Sequence, residues 1–320
     1  MEGEKGAVCV TGGAGYIASW LIMRLLDHGY SVRTTVRSNP EHNEDPSFLK
    51  SVPGAAEKLK IFYADLDDPE SFGAAIEGCV GVFHVATPVD FVNKEAEEIV
   101  TKRSVDGAIG ILKACLDSKT VKKVVYTSSS SAVFINGKNL EKMDESFWSD
   151  TDYIRTLNWP LSSYAISKAL TERAVLEFSE KQGLEVVTLI PTYVVGPFIC
   201  PKLPSSIQIL LDSSDEPINI DMVHVDDVAR AHIFLFEHPE AKGRYICSSI
   251  TTTIKSVFEL LSIKYPELQA RRKNSEMKIE CLKLPSVSSK KLRDSGFEFK
   301  YGVEEMFDGA IKCCKEKGYL

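Results

Sequence analysis

The chain has 320 residues, 44% of them hydrophobic, with 45 acidic against 38 basic side chains and a formal net charge of −7. A chain of this length can bury a large core, while its acidic balance argues against nucleic acid or an anionic membrane as a partner. No apolar run reaches the length of a membrane span, and Met1-Glu-Gly-Glu-Lys5 leads directly into the first apolar segment, so no signal peptide is expected and a cytoplasmic protein is.

Ala7-Val-Cys-Val10 has the composition of a short buried parallel strand, and Tyr16 to His28 carries apolar residues at helical spacing. Between them lies Thr11-Gly-Gly-Ala-Gly-Tyr-Ile-Ala18. Gly12 allows the tight turn, Gly15 lets backbone approach a pyrophosphate, and the helix beginning at Tyr16 and Ile17 offers its N–H groups and positive dipole end to the phosphates. The third small position of this fingerprint is Ala18, which still permits close helix–strand packing. A second strand, Ser31 to Val36, ends in Arg37 where an acidic residue would favour NAD. A guanidinium suits a 2′-phosphate, so NADP(H) is the expected cofactor. The acidic stretch Glu41-His-Asn-Glu-Asp45 behind it keeps NAD(H) as the alternative.

Lys60 to Ala64 reads as a third strand ending at Asp65-Leu66, and Val80 to Val85 as a fourth ending at Ala86-Thr-Pro88. Ligands of an open parallel sheet gather at such strand ends. Asp65 is placed to accept from an adenine amino group with Leu66 on the ring, and Val85, Ala86 and Thr87 to run along the nicotinamide ribose. His84, inside an apolar run, reads as a packed core residue. A fifth strand, Lys122 to Thr127, ends in the serines 128–131, any of which could donate to a substrate carbonyl. The helix predicted from Leu161 to Lys181 carries Tyr164 and Lys168 one turn apart on one face. A phenol with an ordinary pKa near ~10 becomes a useful acid at neutral pH when an ammonium stands beside it.

Glu185 to Ile190 is the sixth predicted strand, after which Pro and Ser become frequent up to Pro217. The fold class is therefore α/β, a Rossmann-type doubly wound parallel sheet over residues 1–190, with a smaller, mostly helical substrate lobe over 191–320 that partly interleaves with it. Helices are predicted near Val225 to Glu237, Ile254 to Lys264 and Val303 to Lys317. His224 with Asp226-Asp227 reads as a strand–helix junction, because no Gly-x-Ser-x-Gly elbow accompanies it. Eight cysteines without Cys-x-x-Cys spacing, and no Asn-x-Ser/Thr site, suggest reduced thiols and no metal centre.

Taken together, Val10-Thr-Gly-Gly-Ala-Gly-Tyr-Ile-Ala18, Asp65-Leu66, Phe83-His-Val-Ala-Thr-Pro88, Tyr126-Thr-Ser-Ser129, Tyr164-x-x-x-Lys168 and Val195-Gly-Pro-Phe198 resemble the extended short-chain dehydrogenase/reductases. Within them, the resemblance is to the plant dihydroflavonol-4-reductase-like group, and it covers nearly the whole chain. His224-Val-Asp-Asp-Val228, Gly243 to Ser249, Phe297 to Tyr301 and Cys314 to Leu320 are similar to the isoflavonoid ketone reductases of the group, while Ala18 to Arg24 and Ser31 to Ser38 also resemble its alkaloid hemiacetal dehydrogenases. The resemblance implies Ser129, Tyr164 and Lys168 as the catalytic set. It also implies cofactor contacts at Arg37, Asp65, Leu66, Val85 to Thr87, Tyr164, Lys168, Pro191 to Val194 and Ser206, and a monomer. Two departures stand out. Phe134 occupies the place of an Asn that holds flavonoid hydroxyls, which makes a dihydroflavonol a poor substrate, and the chain is shorter between Pro204 and Val223, where a loop covers the substrate. Phe134, Tyr193 and Trp159 suggest an apolar aromatic pocket. The leading expectation is NADPH-dependent reduction of a ketone in a polycyclic aromatic plant metabolite. The alternative is oxidation of an alcohol or an alkaloid hemiacetal, and a non-catalytic nucleotide-binding protein comes third, since binding alone needs no Ser, Tyr and Lys set.

Overall fold

The computed structural model describes residues 5–37, 45–88, 95–138, 140–157, 159–211, 218–268 and 285–320. The first half alternates β1 (Ala7–Val10), α1 (Tyr16–Asp27), β2 (Ser31–Val36), the short α2 (Ser47–Lys50) and α3 (Ala55–Lys58), β3 (Leu59–Tyr63), α4 (Gly73–Ile76), β4 (Gly81–His84), α5 (Glu97–Ser118) and β5 (Lys123–Thr127). The second continues with β6 (Lys142–Met143), α6 (Thr151–Thr156), α7 (Ser162–Gln182), β7 (Val186–Pro191), β8 (Tyr193–Val195), α8 (Ser205–Leu211), β9 (Asn219–His224), α9 (Val225–Glu237), β10 (Gly243–Cys247), β11 (Ile250–Thr253), α10 (Ile254–Lys264), β12 (Ser286–Val287), α11 (Lys290–Asp294) and α12 (Val303–Glu316).

Seven of these strands form one sheet in the order β10-β7-β5-β4-β1-β2-β3, and every pairing in it is parallel. Every residue of β4, β5 and β7 is buried, as expected for central strands covered by helices on both faces. The order reverses between β1 and β4, which places the ligand crevice at the carboxyl ends of those two strands.

One strand of the sheet lacks a signal in the sequence. Gly243–Cys247 extends the sheet beyond the six predicted strands, pairing Arg244 with Thr188. A central arginine disguises this segment, because it becomes compatible with burial only when distant groups satisfy the guanidinium. Helix α9 packs back on α1, β5 and β7, so chain from beyond residue 190 completes the parallel sheet. The other strands form a pair, β12-β6, and a three-stranded sheet, β11-β9-β8, around which a second core gathers Phe198, Ile207, Phe258 and Phe307.

His224 is a junction residue, as expected. Its Nδ1 accepts the Asp226 N–H at 3.0 Å and caps α9. Its ring stacks on Tyr301, with centroids 4.0 Å apart. Asp226 accepts from Trp20 Nε1 at 2.8 Å, Tyr301 Oη at 2.9 Å and the Arg24 guanidinium. Asp227 takes the Lys300 N–H at 3.1 Å. These carboxylates therefore fasten α1, α9 and the C-terminal segment to one another.

Two glycines that no motif marks hold α5 close to the end of β3. A Cβ on Gly107 would stand 2.7 Å from Leu66 Cδ2, and one on Gly110 would stand 2.2 Å from Pro69 Cβ. The proline ring cannot swing aside, so Gly110→Ala should overpack the contact by about 1–3 kcal/mol, outweighing the up to about 1 kcal/mol that alanine contributes inside a helix. The expected result is a lower urea midpoint at unchanged slope. An unchanged midpoint would mean that the segment after β3 yields freely.

Candidate active site

The turn after β1 is built by backbone. Gly13 N–H donates to Thr35 O at 2.8 Å and Gly15 N–H to Gly12 O at 2.9 Å. Gly12 has φ +74°, a conformation that L side chains resist. Gly15 stands at the N-cap of α1 without a side-chain cap. Only Gly12 O, at 3.2 Å, comes near where its Cβ would be, so the outer face of the turn is bare backbone at a helix N-terminus. That surface fits a pyrophosphate. Gly13 lies outside the sequence fingerprint although a Cβ there would fall 2.1 Å from Thr34 Oγ1. Ala18 is buried against the sheet. Tyr16 donates from its hydroxyl to Gly196 O at 3.0 Å, and Ile17 packs on the main core.

Thr11 is a second residue without a sequence signal. Its Oγ1 accepts the N–H groups of Val85 and Ala86 at 3.1 and 3.0 Å and pairs with His84 Nδ1 at 2.9 Å. It thereby fixes the loop after β4 over the crevice. Burial, with the Lys168 charge nearby, pushes His84 down to about 3. It is a neutral, packed residue beside Tyr126.

Arg37 is exposed at the end of β2. Asp65 and Leu66 follow the neighbouring β3, with the Asp65 carboxylate accepting the Asp67 N–H at 3.1 Å and Leu66 lying against Gly107. Of the acidic stretch behind Arg37, Glu41 to Glu44 lie outside the described residues. Asp45 turns to Ser47, accepting from its N–H at 2.8 Å and its hydroxyl at 2.7 Å.

At the end of β5 the four serines separate by partner. Ser128 donates to Glu172 Oε2 at 2.6 Å. Ser129 caps a single 3₁₀ turn over Ser130–Ala132, accepting the Ser131 N–H at 3.2 Å and the Ser131 hydroxyl at 2.9 Å. Its own hydroxyl is hydrogen-bonded to the Tyr164 phenol. Lys168 Nζ donates to Thr87 Oγ1 at 2.8 Å and Thr127 O at 3.0 Å, bridging the ends of β4 and β5. Burial lowers its pKa to about 7, with Glu172 acting upward. Burial also holds the Tyr164 phenol above its ordinary range, and the Ser129 hydrogen bond acts downward. Lys168 Nζ stands 6.0 Å from the centre of the Tyr164 ring, and burial is the larger influence on the phenol. Behind Lys168 a cavity of about 10 Å³, lined among others by Ser104, Ser167 and Thr171, has room for about one water.

Farther along the crevice, Tyr193 Oη donates to Ser206 O at 2.7 Å while Ser206 Oγ donates to Val194 O at 2.7 Å. These three residues therefore close β8 onto α8, beside a buried Pro191. Phe134 is half-buried between two apolar clusters that include Phe147, Tyr153 and Trp159. Of the segment between Pro204 and Val223, where a shorter loop is expected, residues 212–217 lie outside the described residues. Among the described residues, the cysteines are free thiols, no side-chain group suits a metal ion, and no helix is long and apolar enough to cross a membrane.

Comparison with known proteins agrees with this architecture. Residues 8–247 match the NAD dependent epimerase/dehydratase family. A vestitone reductase from Medicago sativa is 56% identical, covering 100% of both chains. Its crystal structure superposes with a TM-score of 0.85 at 53% identity, covering 99% of this chain and 100% of that one. A noscapine synthase from Papaver somniferum is 50% identical over 100% of this chain and 95% of its own. The crystal structure of a yeast methylglyoxal/isovaleraldehyde reductase complexed with NADPH has a TM-score of 0.80 at 25% identity, with 98% and 100% of the two chains covered. With the turn after β1, the parallel sheet and the Ser129, Tyr164 and Lys168 group in place, the chain belongs to the NAD dependent epimerase/dehydratase family and, within it, to the dihydroflavonol-4-reductase-like short-chain dehydrogenase/reductases, a group of oxidoreductases.

Proposed function

We propose that this protein is an NADPH-dependent reductase acting on the ketone of a polycyclic aromatic plant metabolite of the isoflavanone type. The observation that carries the reading is the hydrogen bond between Ser129 and Tyr164 at the end of β5, with Lys168 one turn on and bonded to Thr87 and Thr127. NADP(H) is the cofactor, and when bound it supplies hydride to the carbonyl carbon. The turn after β1 holds its pyrophosphate, Arg37 its 2′-phosphate, Asp65 and Leu66 its adenine, and the Val85 to Thr87 loop its nicotinamide ribose; Pro191, Val194 and Ser206 border the nicotinamide side. Ser129 donates to the substrate oxygen, Tyr164 transfers its phenolic proton to that oxygen, and solvent reprotonates Tyr164. Lys168 places positive charge beside the developing phenolate and holds the ribose. Such positioned proton transfer is typically worth about a hundred- to ten-thousand-fold in rate.

Phe134 and Tyr193 present apolar surface to a flat aromatic substrate. Phe134 cannot bond flavonoid hydroxyls, so dihydroflavonols should be turned over poorly. The 50% identity to a noscapine synthase supports the second reading, oxidation of an alkaloid hemiacetal by the same residues. Residues 1–190 bind the cofactor and 191–320 cover the substrate, interleaved through β10. The protein acts as a monomer in the cytoplasm, where its described thiols stay reduced.

The test offers isoflavanones, flavanones, dihydroflavonols and benzylisoquinoline hemiacetals with NADPH or NADP⁺ and follows the absorbance of reduced nicotinamide. Ketone reduction without dihydroflavonol turnover supports the proposal. Oxidation of hemiacetals alone moves the assignment to the second reading. Cofactor binding without any turnover would leave a binding protein. Within the serine run, Ser129→Ala should slow turnover by about tenfold or more. Ser128→Ala should cost less, since Ser128 bonds Glu172. A larger loss from Ser128→Ala would reassign the proton-sharing serine.

A further inference from the structure

Glu172 stands one helical turn beyond Lys168 on α7, on the same face, and is fully buried. Its carboxylate accepts three hydrogen bonds from two residues. Oε2 accepts from Ser128 Oγ at 2.6 Å. Oε1 accepts from Arg244 Nε at 2.8 Å, and Arg244 Nη2 reaches Oε2 at 3.3 Å. Arg244 is fixed in turn, donating to Glu145 O at 2.7 Å and Phe147 O at 2.6 Å and lying 3.6 Å over the Trp148 ring. A buried ion pair of this kind is weak evidence for stability, because apolar residues of similar volume usually serve a fold as well. Its position suggests another use, since it joins the neighbour of Ser129 to the helix that carries Tyr164 and Lys168.

We propose that Glu172 is a positioning residue of the proton-transfer site: its carboxylate, paired with Arg244, ties the end of β5 to α7 and fixes a negative charge one helical turn from Lys168. The inference rests on the catalytic reading above. The groups facing Lys168 make the assignment specific. Its own helix contributes Tyr164 and Glu172, β5 contributes Tyr126 and the Thr127 carbonyl, β4 and its loop contribute His84 and Thr87, and α5 contributes Ser104. His84 and Tyr126 are both held neutral by burial, which leaves Glu172 as the carboxylate of the set. Burial drives Lys168 toward the neutral amine, and Glu172 opposes it.

Two readouts test this. In protein carrying ¹³Cε-lysine, the Lys168 signal, assigned by its loss in Lys168→Arg, is titrated by NMR. The alkaline limb of kcat/KM for ketone reduction is then followed against pH. Glu172→Gln keeps an acceptor for Ser128 but removes the charge that opposes the effect of burial on Lys168, so the Lys168 midpoint should fall by about one pH unit, and the alkaline limb should move the same way. Ser128→Ala retains the charge and should leave the midpoint in place. Because Glu172→Gln strands the Arg244 guanidinium, Glu172→Gln/Arg244→Met provides a variant without either charge, in which the midpoint should also fall. A purely structural role would lower the urea midpoint and turnover at every pH with the titration unmoved, and that result overturns the proposal. Failure of both variants to fold would overturn it as well, by assigning the pair to the fold. Retained turnover in Tyr164→Phe would sink the catalytic reading while leaving the Lys168 titration as it is, so the two failures are distinguishable.

Discussion

Tyr164→Phe should reduce turnover by at least about a hundredfold with NADPH affinity nearly unchanged. The substitution deletes one hydroxyl and keeps the half-buried ring, so packing around α7 survives. What disappears is the hydroxyl hydrogen-bonded to Ser129, the proposed proton donor. Burial raises the Tyr164 pKa, which keeps the phenol protonated through neutral pH, the form that reduction requires. Deprotonation of Tyr164 should therefore limit reduction only above the pH at which Lys168 has already lost its proton. Stopped-flow or steady-state turnover, with NADPH affinity read from nicotinamide fluorescence, separates the two quantities. Near-normal turnover would remove Tyr164 from the proton-donor role. A parallel loss of NADPH affinity would instead make it a cofactor-binding residue.

Periodicity and local chemistry make much of this fold legible in the amino-acid sequence. The bounds of β1, β2, α9 and α10 match the predicted segments, because each is a run whose pattern of burial is written in consecutive residues. The pairing of Tyr164 with Lys168 is legible for the same reason, since helical spacing alone puts them on one face. Long-range contacts are the illegible part. Which serine meets Tyr164 depends on the 3₁₀ turn at Ser130–Ala132 and on Glu172 drawing Ser128 aside, and neither can be inferred from four identical residues. Thr11 looks like an ordinary strand end until Val85 and Ala86 fold onto it. Gly13, Gly107 and Gly110 matter through neighbours distant in sequence. The seventh strand is hidden because Arg244 becomes buriable only once Glu172 and two carbonyls surround it.

Arg37→Asp should shift the ratio of kcat/KM for NADPH over NADH by about ten- to more than a hundredfold toward NADH, the effect of losing a charge-assisted contact of about 1.5–3 kcal/mol. Arg37 is exposed at the carboxyl end of β2, next in the sheet to β1 with its glycine turn, where the adenosine ribose of a dinucleotide lies. An aspartate there would repel a 2′-phosphate and accept from the ribose hydroxyls instead. Asp45, the described residue of the acidic stretch that follows, is engaged with the N–H and hydroxyl of Ser47 at the start of α2. The measurement is the cofactor ratio in wild type and variant with one ketone substrate. A wild type that already prefers NADH, or a ratio that the substitution leaves alone, would make Arg37 a solvated surface residue and strengthen the oxidative reading. A collapse of the ratio with turnover on NADH preserved would place the 2′-phosphate at Arg37 and leave the Ser129, Tyr164 and Lys168 group untouched, as expected for residues at opposite ends of the cofactor.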